Sequence, residues 1–360
     1  MFSQQRKIYF YSNFFYDLNN IKIKVIEMTN IELFAGAGGL ALGIEKAGFE
    51  CIGLIDINHD ACETLKKNRP NWNIIEGDIT KIAEENLEKK FNLKRGELDF
   101  LSGGYPCQSF SYAGKRLGLE DVRGTMFYYY SIFLKKLKPK MFLAENVKGL
   151  LNHDGGKTLQ TMIDVFEEIG YKVQYKVLNA WDYGVAQKRE RIAIVGIRND
   201  LVNKVKFEFP IPHKYKPVLR DVLKNVPPSD GEKYSDKKKA VMDLVPAGGC
   251  WINLPDEVAR DYMKSCYFMG GGRRGIARRM SMDEPCLTLT CAPAMKQTER
   301  CHPIETRPFT IREYARIQSF PDEWEFVGKR GSQYTQIGNA VPVLLAYEIA
   351  KKIKNALEDL

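Results

Sequence analysis

The chain has 360 residues, of which 44% are hydrophobic and 28% charged, enough to build one large or two unequal globular domains. No stretch reaches the roughly 20 consecutive apolar residues of a membrane span, and the N-terminus lacks the compact apolar run of a secretory signal. We therefore expect a cytoplasmic protein. The net charge of +9 favours a polyanionic partner, and eight cysteines without a CxxC pair, beside four histidines, predict reduced thiols and no metal site.

Residues 1–27 show neither a helical nor a strand period, so we expect an N-terminal extension outside the fold, with Met28 as an alternative start. From residue 31 to residue 197, short apolar runs alternate with longer amphipathic segments. This alternation predicts an α/β domain over residues 28–199, with a doubly wound, mainly parallel sheet. Ligands of such sheets bind at the carboxyl ends of the strands.

Near residue 200 the regular alternation ends, and proline, glycine and lysine become frequent. We expect a smaller irregular domain over residues 200–305. Thr310 and Glu313 then form a capping-box pattern, which predicts a helix through Gln318, and a final helix follows Pro342. Residues 306–360 are therefore expected to return to the large domain.

The first predicted strand ends in a glycine-rich turn, Phe34-Ala-Gly36-Ala-Gly38-Gly39, and Asp56 ends the next strand. This spacing matches the dinucleotide fingerprint, which indicates a nucleoside-bearing cofactor and by itself fits a nicotinamide oxidoreductase. After the third strand, Asp78 could accept from an adenine amino group while Ile79 packs against the ring; alternatively, Asp78 caps a helix.

The fourth strand runs into Tyr105-Pro106-Cys107, a cysteine in a stiff loop at the ligand edge of the sheet. A thiol there can be exposed and lowered in pKa, as a nucleophile requires, so Cys107 is a candidate nucleophile. Glu145 and Asn146 end the fifth strand beside it. Strand alternation puts the side chains of Gln187, Arg189 and Arg191 on one face.

Taken in order, these motifs resemble those of the bacterial DNA (cytosine-5)-methyltransferase family, a resemblance that extends from Ile31 to the C-terminus. The series is Phe34-Ala-Gly-Ala-Gly-Gly, Gly-Tyr-Pro106-Cys107-Gln-Ser-Phe, Glu145-Asn-Val, Gln187-x-Arg189-x-Arg191, Arg307-Pro-Phe-Thr-Ile-Arg-Glu and Gln336-Ile-Gly-Asn339-Ala-Val-Pro. The resemblance implies a Rossmann-like methyltransferase fold with S-adenosylmethionine in the glycine-rich site. It replaces the nicotinamide interpretation, which gives Cys107 and Glu145 no role.

The family's chemistry implies a role for each catalytic candidate. Carbon 5 of cytosine is a weak nucleophile until a thiolate, here Cys107, adds at carbon 6. Protonated Glu145 would neutralise N3, Arg191 and Arg189 would hold O2 and the Glu145 region, and Asn146 would brace the loop. The implied cofactor contacts are Phe34, Gly36, Gly38, Gly39, Asp56, Ile57, Asp78, Ile79, Pro106, Asn339 and Val341. Many relatives have Glu and an aromatic residue at the positions of Asp56 and Ile57.

The resemblance also implies double-stranded DNA as the partner, with the target base flipped out. The segment from Ser109 to Arg123 is then a lid over that base, and residues 200–305 recognise the target. The expected DNA contacts are Ser109, Lys115, Arg116, Arg123, Arg273, Arg274, Arg278 and Arg279.

The expected setting is a type II restriction-modification system, with a monomeric, nucleoid-associated enzyme and a cognate restriction endonuclease that need not bind it. Two alternatives stay open: the same chemistry on transfer RNA, or a non-catalytic DNA-binding relative.

Overall fold

The computed structural model describes residues 28–106, 119–269, 272–358 and 360. The predicted N-terminal extension, residues 1–27, lies outside this part of the chain. So do Cys107, Ser109, Lys115 and Arg116, and with them most of the predicted lid.

Within the described residues, seven strands form one sheet in the order β3-β2-β1-β4-β5-β8-β6. The strands are β1 (Met28–Leu33), β2 (Phe49–Asp56), β3 (Ile74–Glu76), β4 (Phe100–Gly103), β5 (Met141–Val147), β6 (Tyr171–Asn179) and β8 (Glu190–Arg198). Strands β1 to β5 pair in parallel, whereas β8 runs antiparallel to both β5 and β6. The predicted doubly wound, mainly parallel sheet is confirmed.

A separate pair of short parallel strands, β7 (Gln187–Lys188) and β9 (Cys286–Leu287), joins the return segment of the irregular region to the large domain. The helices are α1 (Gly39–Lys46), α2 (His59–Asn68), α3 (Ile79–Ile82), α4 (Leu87–Phe91), α5 (Met126–Leu137), α6 (Lys157–Ile169), α7 (Leu219–Val222), α8 (Asp236–Asp243), α9 (Asp256–Met263), α10 (Ile311–Ile317), α11 (Arg330–Asn339) and α12 (Val343–Glu358). Over the described ranges, none of them is long and apolar enough to cross a membrane.

Local sequence signals account for several helix ends. Thr310 and Glu313 form the predicted capping box: the Thr310 N–H donates to Glu313 Oε2 over 2.7 Å, and the Glu313 N–H donates to Thr310 Oγ1 over 3.4 Å. Helix α10 begins at Ile311, directly after the N-cap residue Thr310. Each bond satisfies a backbone donor that the first helical turn would leave without a partner.

Buried apolar side chains form two large clusters around the sheet and a third, smaller one between Met242 and Cys301. The third cluster belongs to the predicted irregular region. The third cluster does not include the residues just after 200, however, because Leu201, Phe207 and Leu219 are buried in the first large cluster. The segment with its own core is therefore narrower than residues 200–305.

Candidate active site

A cavity of about 590 Å³ lies at the carboxyl ends of β1, β2, β4 and β5. This is the position where open α/β sheets bind ligands, at the point where strand order reverses on either side of β1. The residues predicted from the sequence that line it are Phe34, Gly36, Gly39, Asp56, Ile57, Pro106, Glu145, Asn146, Arg189, Arg191, Asn339 and Val341.

The glycine-rich turn gives the cavity a wall of bare backbone. Gly36 and Gly38 adopt φ values of +53° and +86°, which side chains disfavour, and Phe34 has a φ of 58°. A Cβ on Gly38 would lie 2.6 Å from the Leu65 side chain, whereas Gly36 has open space around it. Gly38 therefore lets the start of α1 pack closely against Leu65 of α2, and Gly36 leaves the backbone open to a ligand.

Asp56 and Ile57 end β2 at the rim of the cavity. The Asp56 carboxylate accepts the Gly36 N–H over 2.7 Å and the Asn58 N–H over 2.8 Å, which orients it between the two turns. Burial raises its pKa, and the backbone hydrogen bonds oppose that rise. Ile57 is 70% exposed although it lines the cavity, so it offers an apolar surface to a ligand.

Glu32 is a cavity residue that the sequence analysis missed. It lies on β1, is 1% exposed, and its Oε2 has no hydrogen-bond partner among the described residues. Burial, together with the Asp56 carboxylate, raises the pKa of Glu32 well above its ordinary value. The available signal was one acidic residue inside the apolar run Ile31 to Phe34.

Asp78 and Ile79 follow β3 at the same edge of the sheet but are not among the described residues that line the cavity. Asp78 caps α3 by accepting the Thr80 N–H over 2.9 Å, which lowers the pKa of its carboxyl. Ile79 is buried in the second large apolar cluster. Their contact with a cofactor stays a prediction.

The loop that carries the predicted nucleophile is anchored at its start. Tyr105 is 2% exposed and packs on Phe127 and Tyr130 at ring distances of 5.6 and 5.4 Å. Asn146 Nδ2 donates to the Tyr105 carbonyl over 3.1 Å, and Asn146 Oδ1 accepts the Val147 N–H over 2.8 Å. The Asn146 amide thus holds the backbone two residues before Cys107.

Glu145 and Arg191 form an ion pair in the cavity. Arg191 Nε lies 2.9 Å from Glu145 Oε1, and the side chains are 13% and 12% exposed. Among the described residues, Glu145 Oε1 is buried and accepts no hydrogen bond, so the contact with Arg191 is an ion pair. Burial raises the pKa of Glu145, while Arg191 and then Arg189 oppose the rise. The carboxyl therefore stays protonated to a higher pH than an ordinary glutamate.

The antiparallel direction of β8 creates this pair. Arg191 stands opposite Val147 in the β5–β8 register, so the beginning of β8 reaches the carboxyl end of β5. Gly104 packs against the other side of the carboxyl, where an added Cβ would lie 2.9 Å from Glu145 Oε2. The carboxyl group is thus confined between backbone and guanidinium.

Arg189 lies between β7 and β8 and has different partners. It is 1% exposed, and its guanidinium donates to the carbonyls of Leu289, Gly338 and Ala340 over 3.2, 2.8 and 3.0 Å. These bonds fasten the return segment after β9 to the C-terminal end of α11. Arg189 is therefore a positioning residue for the cavity wall, whereas Arg191 has the Glu145 carboxyl as its partner.

The predicted DNA-contacting arginines differ in their surroundings. Arg279 is 5% exposed and donates to the Met242 carbonyl over 2.7 Å and Thr306 Oγ1 over 2.8 Å, so it lies inside the protein and not on a DNA-binding surface. Among the described residues, the Arg273 guanidinium donates only to two sulfur atoms, Cys266 Sγ and Met269 Sδ, over 3.5 and 3.3 Å.

The other predicted arginine contacts that the structure describes are on or near the surface. Arg274 and Arg123 are exposed. Arg278 is 17% exposed and lies 3.5 Å from Glu284, and its Nε is buried without a partner among the described residues.

His59, Glu63 and Glu76 are the one group within the described ranges whose ligand atoms could hold a metal ion. Lys66 Nζ lies 2.9 Å from Glu63 and 3.8 Å from Glu76. Because Lys66 already supplies positive charge there, we interpret His59, Glu63 and Glu76 as part of a surface ion-pair network.

An open α/β sheet with a glycine-rich turn and a buried carboxyl–guanidinium pair at its ligand edge is typical of enzymes that bind a nucleoside-bearing cofactor. Comparison with known proteins identifies the family of this chain. The sequence family described as C-5 cytosine-specific DNA methylase matches residues 28–355. The chain belongs to this family and is a DNA (cytosine-5)-methyltransferase.

Individual relatives agree with this assignment. The chain is 60% identical over 95% of its length to the type II methyltransferase M.Sau96I of Staphylococcus aureus, of which it covers 79%. It is 50% identical over 92% of its length to M.Eco47II of Escherichia coli, again covering 79%. A prophage-encoded E. coli protein assigned as a DNA modification methyltransferase shares the fold, with a TM-score of 0.67, 24% identity, and coverage of 92% of this chain and all of that one.

Proposed function

We propose that the enzyme transfers a methyl group from S-adenosylmethionine to a flipped-out cytosine within one short duplex sequence, through a covalent Cys107 adduct. The observation that carries this proposal is the buried Glu145–Arg191 pair beside the start of the Cys107 loop. The type II relatives support a protective role in a restriction-modification system. We further propose a cytoplasmic, nucleoid-associated monomer whose partner endonuclease need not bind it.

The chain's own residues would carry the following steps. The Cys107 thiolate adds to carbon 6, and Glu145 donates its proton to N3, so the ring stays neutral while carbon 5 becomes nucleophilic. S-adenosylmethionine, when bound, supplies the methyl group to carbon 5. Loss of the carbon 5 proton to a base then lets the Cys107 sulfur leave from carbon 6, and N3 returns its proton to Glu145, which leaves neutral 5-methylcytosine and the starting form of the enzyme. Arg191 would hold the base oxygen O2 and orient Glu145 throughout.

The cavity fits S-adenosylmethionine on four grounds. Ile57 offers an exposed apolar face for the adenine ring, and Asp56 lies where a ribose hydroxyl could donate to it. Gly36 leaves the backbone accessible. Glu32 Oε2, buried and without a donor among the described residues, suits a ligand that carries positive charge, because a buried carboxylate without a partner is costly.

Replacing Glu32 by Gln is expected to weaken S-adenosylmethionine binding roughly tenfold to a hundredfold, the value of a hydrogen bond to a charged group. A bound cation lowers the raised pKa of Glu32 and releases a proton, so wild-type affinity should increase with pH. Calorimetry across pH measures both effects. The exposed Glu63→Gln is the control, and a wild-type affinity independent of pH would contradict the assignment.

The same substitution has a second readout. The pKa of Glu32 is higher in the folded protein than in the unfolded chain. The wild-type free energy of unfolding should therefore fall as the pH rises from the unfolded-state pKa to the folded-state pKa. The Glu32→Gln protein lacks this fall. Its free energy of unfolding should therefore exceed that of the wild type increasingly toward alkaline pH, which separates weak binding from a damaged fold.

We infer that the segment from Lys264 to Arg278 contacts the DNA backbone and bases. No acidic residue occurs between Asp261 and Asp283. Within the described part of the chain, the Arg273 guanidinium has only weak sulfur acceptors, so it can take a phosphate or a guanine edge. Arg274 and Arg278 extend this basic surface, while Arg279 is excluded by its interior position.

Replacing Arg273 or Arg278 by Ala is expected to weaken DNA binding and to reduce the slope of log K against log salt by about 0.9 for each lost phosphate contact. Fluorescence anisotropy on a duplex at several salt concentrations measures this slope. Lys239→Ala, on exposed α8, is the control. Arg279→Ala should instead lower thermal stability, because it leaves interior carbonyls without a donor. Unchanged slopes would place the DNA contact elsewhere.

Transfer RNA is the alternative substrate, and a separate core within residues 242–301 favours duplex DNA because it supplies a target-binding segment. The test is labelled methyl transfer by the purified protein to unmethylated duplex DNA and to unmodified transfer RNA. Label in DNA alone supports the proposal. Label in transfer RNA alone overturns it, and label in neither would favour the non-catalytic alternative.

A further inference from the structure

Two large apolar side chains stand side by side on the surface of the target-binding segment. Phe268 is 77% exposed and Met269 is 54% exposed, at the end of the 3-10 turn Lys264–Phe268. The nearby apolar residues Met263 and Ile276 are buried in the segment's own core. Phe268 and Met269 themselves are not members of that core and leave most of their side-chain surface to solvent.

The turn is fixed beneath these side chains. The Tyr267 ring packs edge-on against Trp251 at 5.8 Å and against Phe268 at 5.1 Å. The Arg260 guanidinium lies 5.1 Å from the centre of the same ring, and Asp256 accepts the Tyr267 hydroxyl. The apolar pair is thus presented on a packed base, which reduces the entropy lost when it enters a binding partner.

The surroundings of the pair are basic. Arg273 and Arg274 follow it closely, and Arg273 Nη2 lies 3.3 Å from Met269 Sδ. Trp251 Nε1 donates to the Gly272 carbonyl over 3.2 Å, which holds the second side of the loop on the same base. A partner for this surface must combine negative charge with an apolar contact a few ångströms away. Duplex DNA does so, with phosphates outside and stacked bases inside.

We propose that Phe268, flanked by Met269, enters the DNA between base pairs as a wedge while the adjacent arginines hold the phosphates. This inference rests on the proposed function of the segment as the DNA contact. Extruding a base leaves an unstacked step, and an inserted apolar side chain offsets part of that cost. The pair would therefore stabilise the distorted duplex, in addition to any sequence reading by the arginines.

The test compares Phe268→Ala, Phe268→Leu and Ile211→Ala, the last a control at a similarly exposed apolar residue, 76% exposed. The duplex carries the sequence that the enzyme methylates, in unmethylated form, and 2-aminopurine is placed in turn at each position around the target cytosine. Phe268→Ala should weaken binding roughly tenfold, the scale of one base–aromatic stacking contact, and reduce the 2-aminopurine signal at one step. Phe268→Leu should retain most of both, and Ile211→Ala all of both.

The salt dependence separates the wedge from a phosphate contact. A wedge carries no charge, so the Phe268→Ala slope should equal that of the wild type, unlike the slope of Arg273→Ala. Unchanged affinity and 2-aminopurine signal in an active Phe268→Ala protein would overturn the wedge. A Phe268→Ala protein that still binds DNA normally but no longer self-associates on sedimentation would also overturn the wedge. A wild-type protein that neither binds nor methylates DNA would instead overturn the proposed function.

Discussion

Replacement of Cys107 by Ser is expected to reduce methyl transfer by at least roughly a thousandfold while S-adenosylmethionine still binds. A thiol ionises near neutral pH, whereas a serine hydroxyl does not, so the ring would no longer be activated at carbon 6. The buried Tyr105 and its bond from Asn146 hold the chain just before this position. Labelled methyl transfer and cofactor calorimetry measure the two properties separately.

A trapped adduct identifies the nucleophile directly. In a duplex with 5-fluorocytosine at the target, fluorine cannot leave carbon 5 as a proton does, so the sulfur stays bonded to carbon 6. Denaturing electrophoresis should show this adduct for the wild type and not for Cys107→Ser. Cys291 has the only thiol among the described residues that line the cavity, so Cys291→Ser is the matched comparison. An adduct kept by Cys107→Ser and lost by Cys291→Ser would contradict the mechanism.

Replacement of Glu145 by Gln is expected to lower kcat by about 10²- to 10⁴-fold, the usual contribution of a general acid. Glutamine keeps a hydrogen-bond donor but cannot transfer a proton to N3. Arg191, 2.9 Å away, would keep its place near the base, so cofactor binding should change little. Single-turnover rates measure the chemical step, and Glu190→Gln, on the exposed neighbour that pairs with Lys148, is the control.

The pH profile gives a second test of Glu145. The proposed mechanism uses the protonated form of Glu145, and burial raises its pKa, so the wild-type rate should fall as the pH rises through that value. The residual rate of Glu145→Gln should not show this fall. An alkaline fall of the same position and size in both proteins would mean that another group controls it.

Local patterns predicted much of the fold and the position of the cavity. The glycine turn, the acid that ends β2 and the capping box at Thr310 each depend on a few adjacent residues whose geometry is specific. Strand alternation placed Gln187, Arg189 and Arg191 on one face. It could not predict which guanidinium meets Glu145, because that depends on the antiparallel register of β8 against β5.

Charge patterns failed where burial decides the role. Arg273 and Arg279 are equivalent members of one basic run in the sequence, yet the Arg279 guanidinium donates to interior carbonyls, whereas that of Arg273 donates only to sulfur atoms among the described residues. Glu32 could not be identified from the sequence because a single acidic residue in an apolar strand is typical of an exposed edge position. In the structure it is buried and lines the cavity.

Bisulfite sequencing of DNA from a host without cytosine methylation tests the central claim most directly. The host would express this chain or, separately, its Cys107→Ser form. The account predicts protected cytosines at one position of a single recurring short sequence with the wild type, and none with the variant. Soluble wild-type protein without any protected cytosine, or equal protection by the variant, would contradict it.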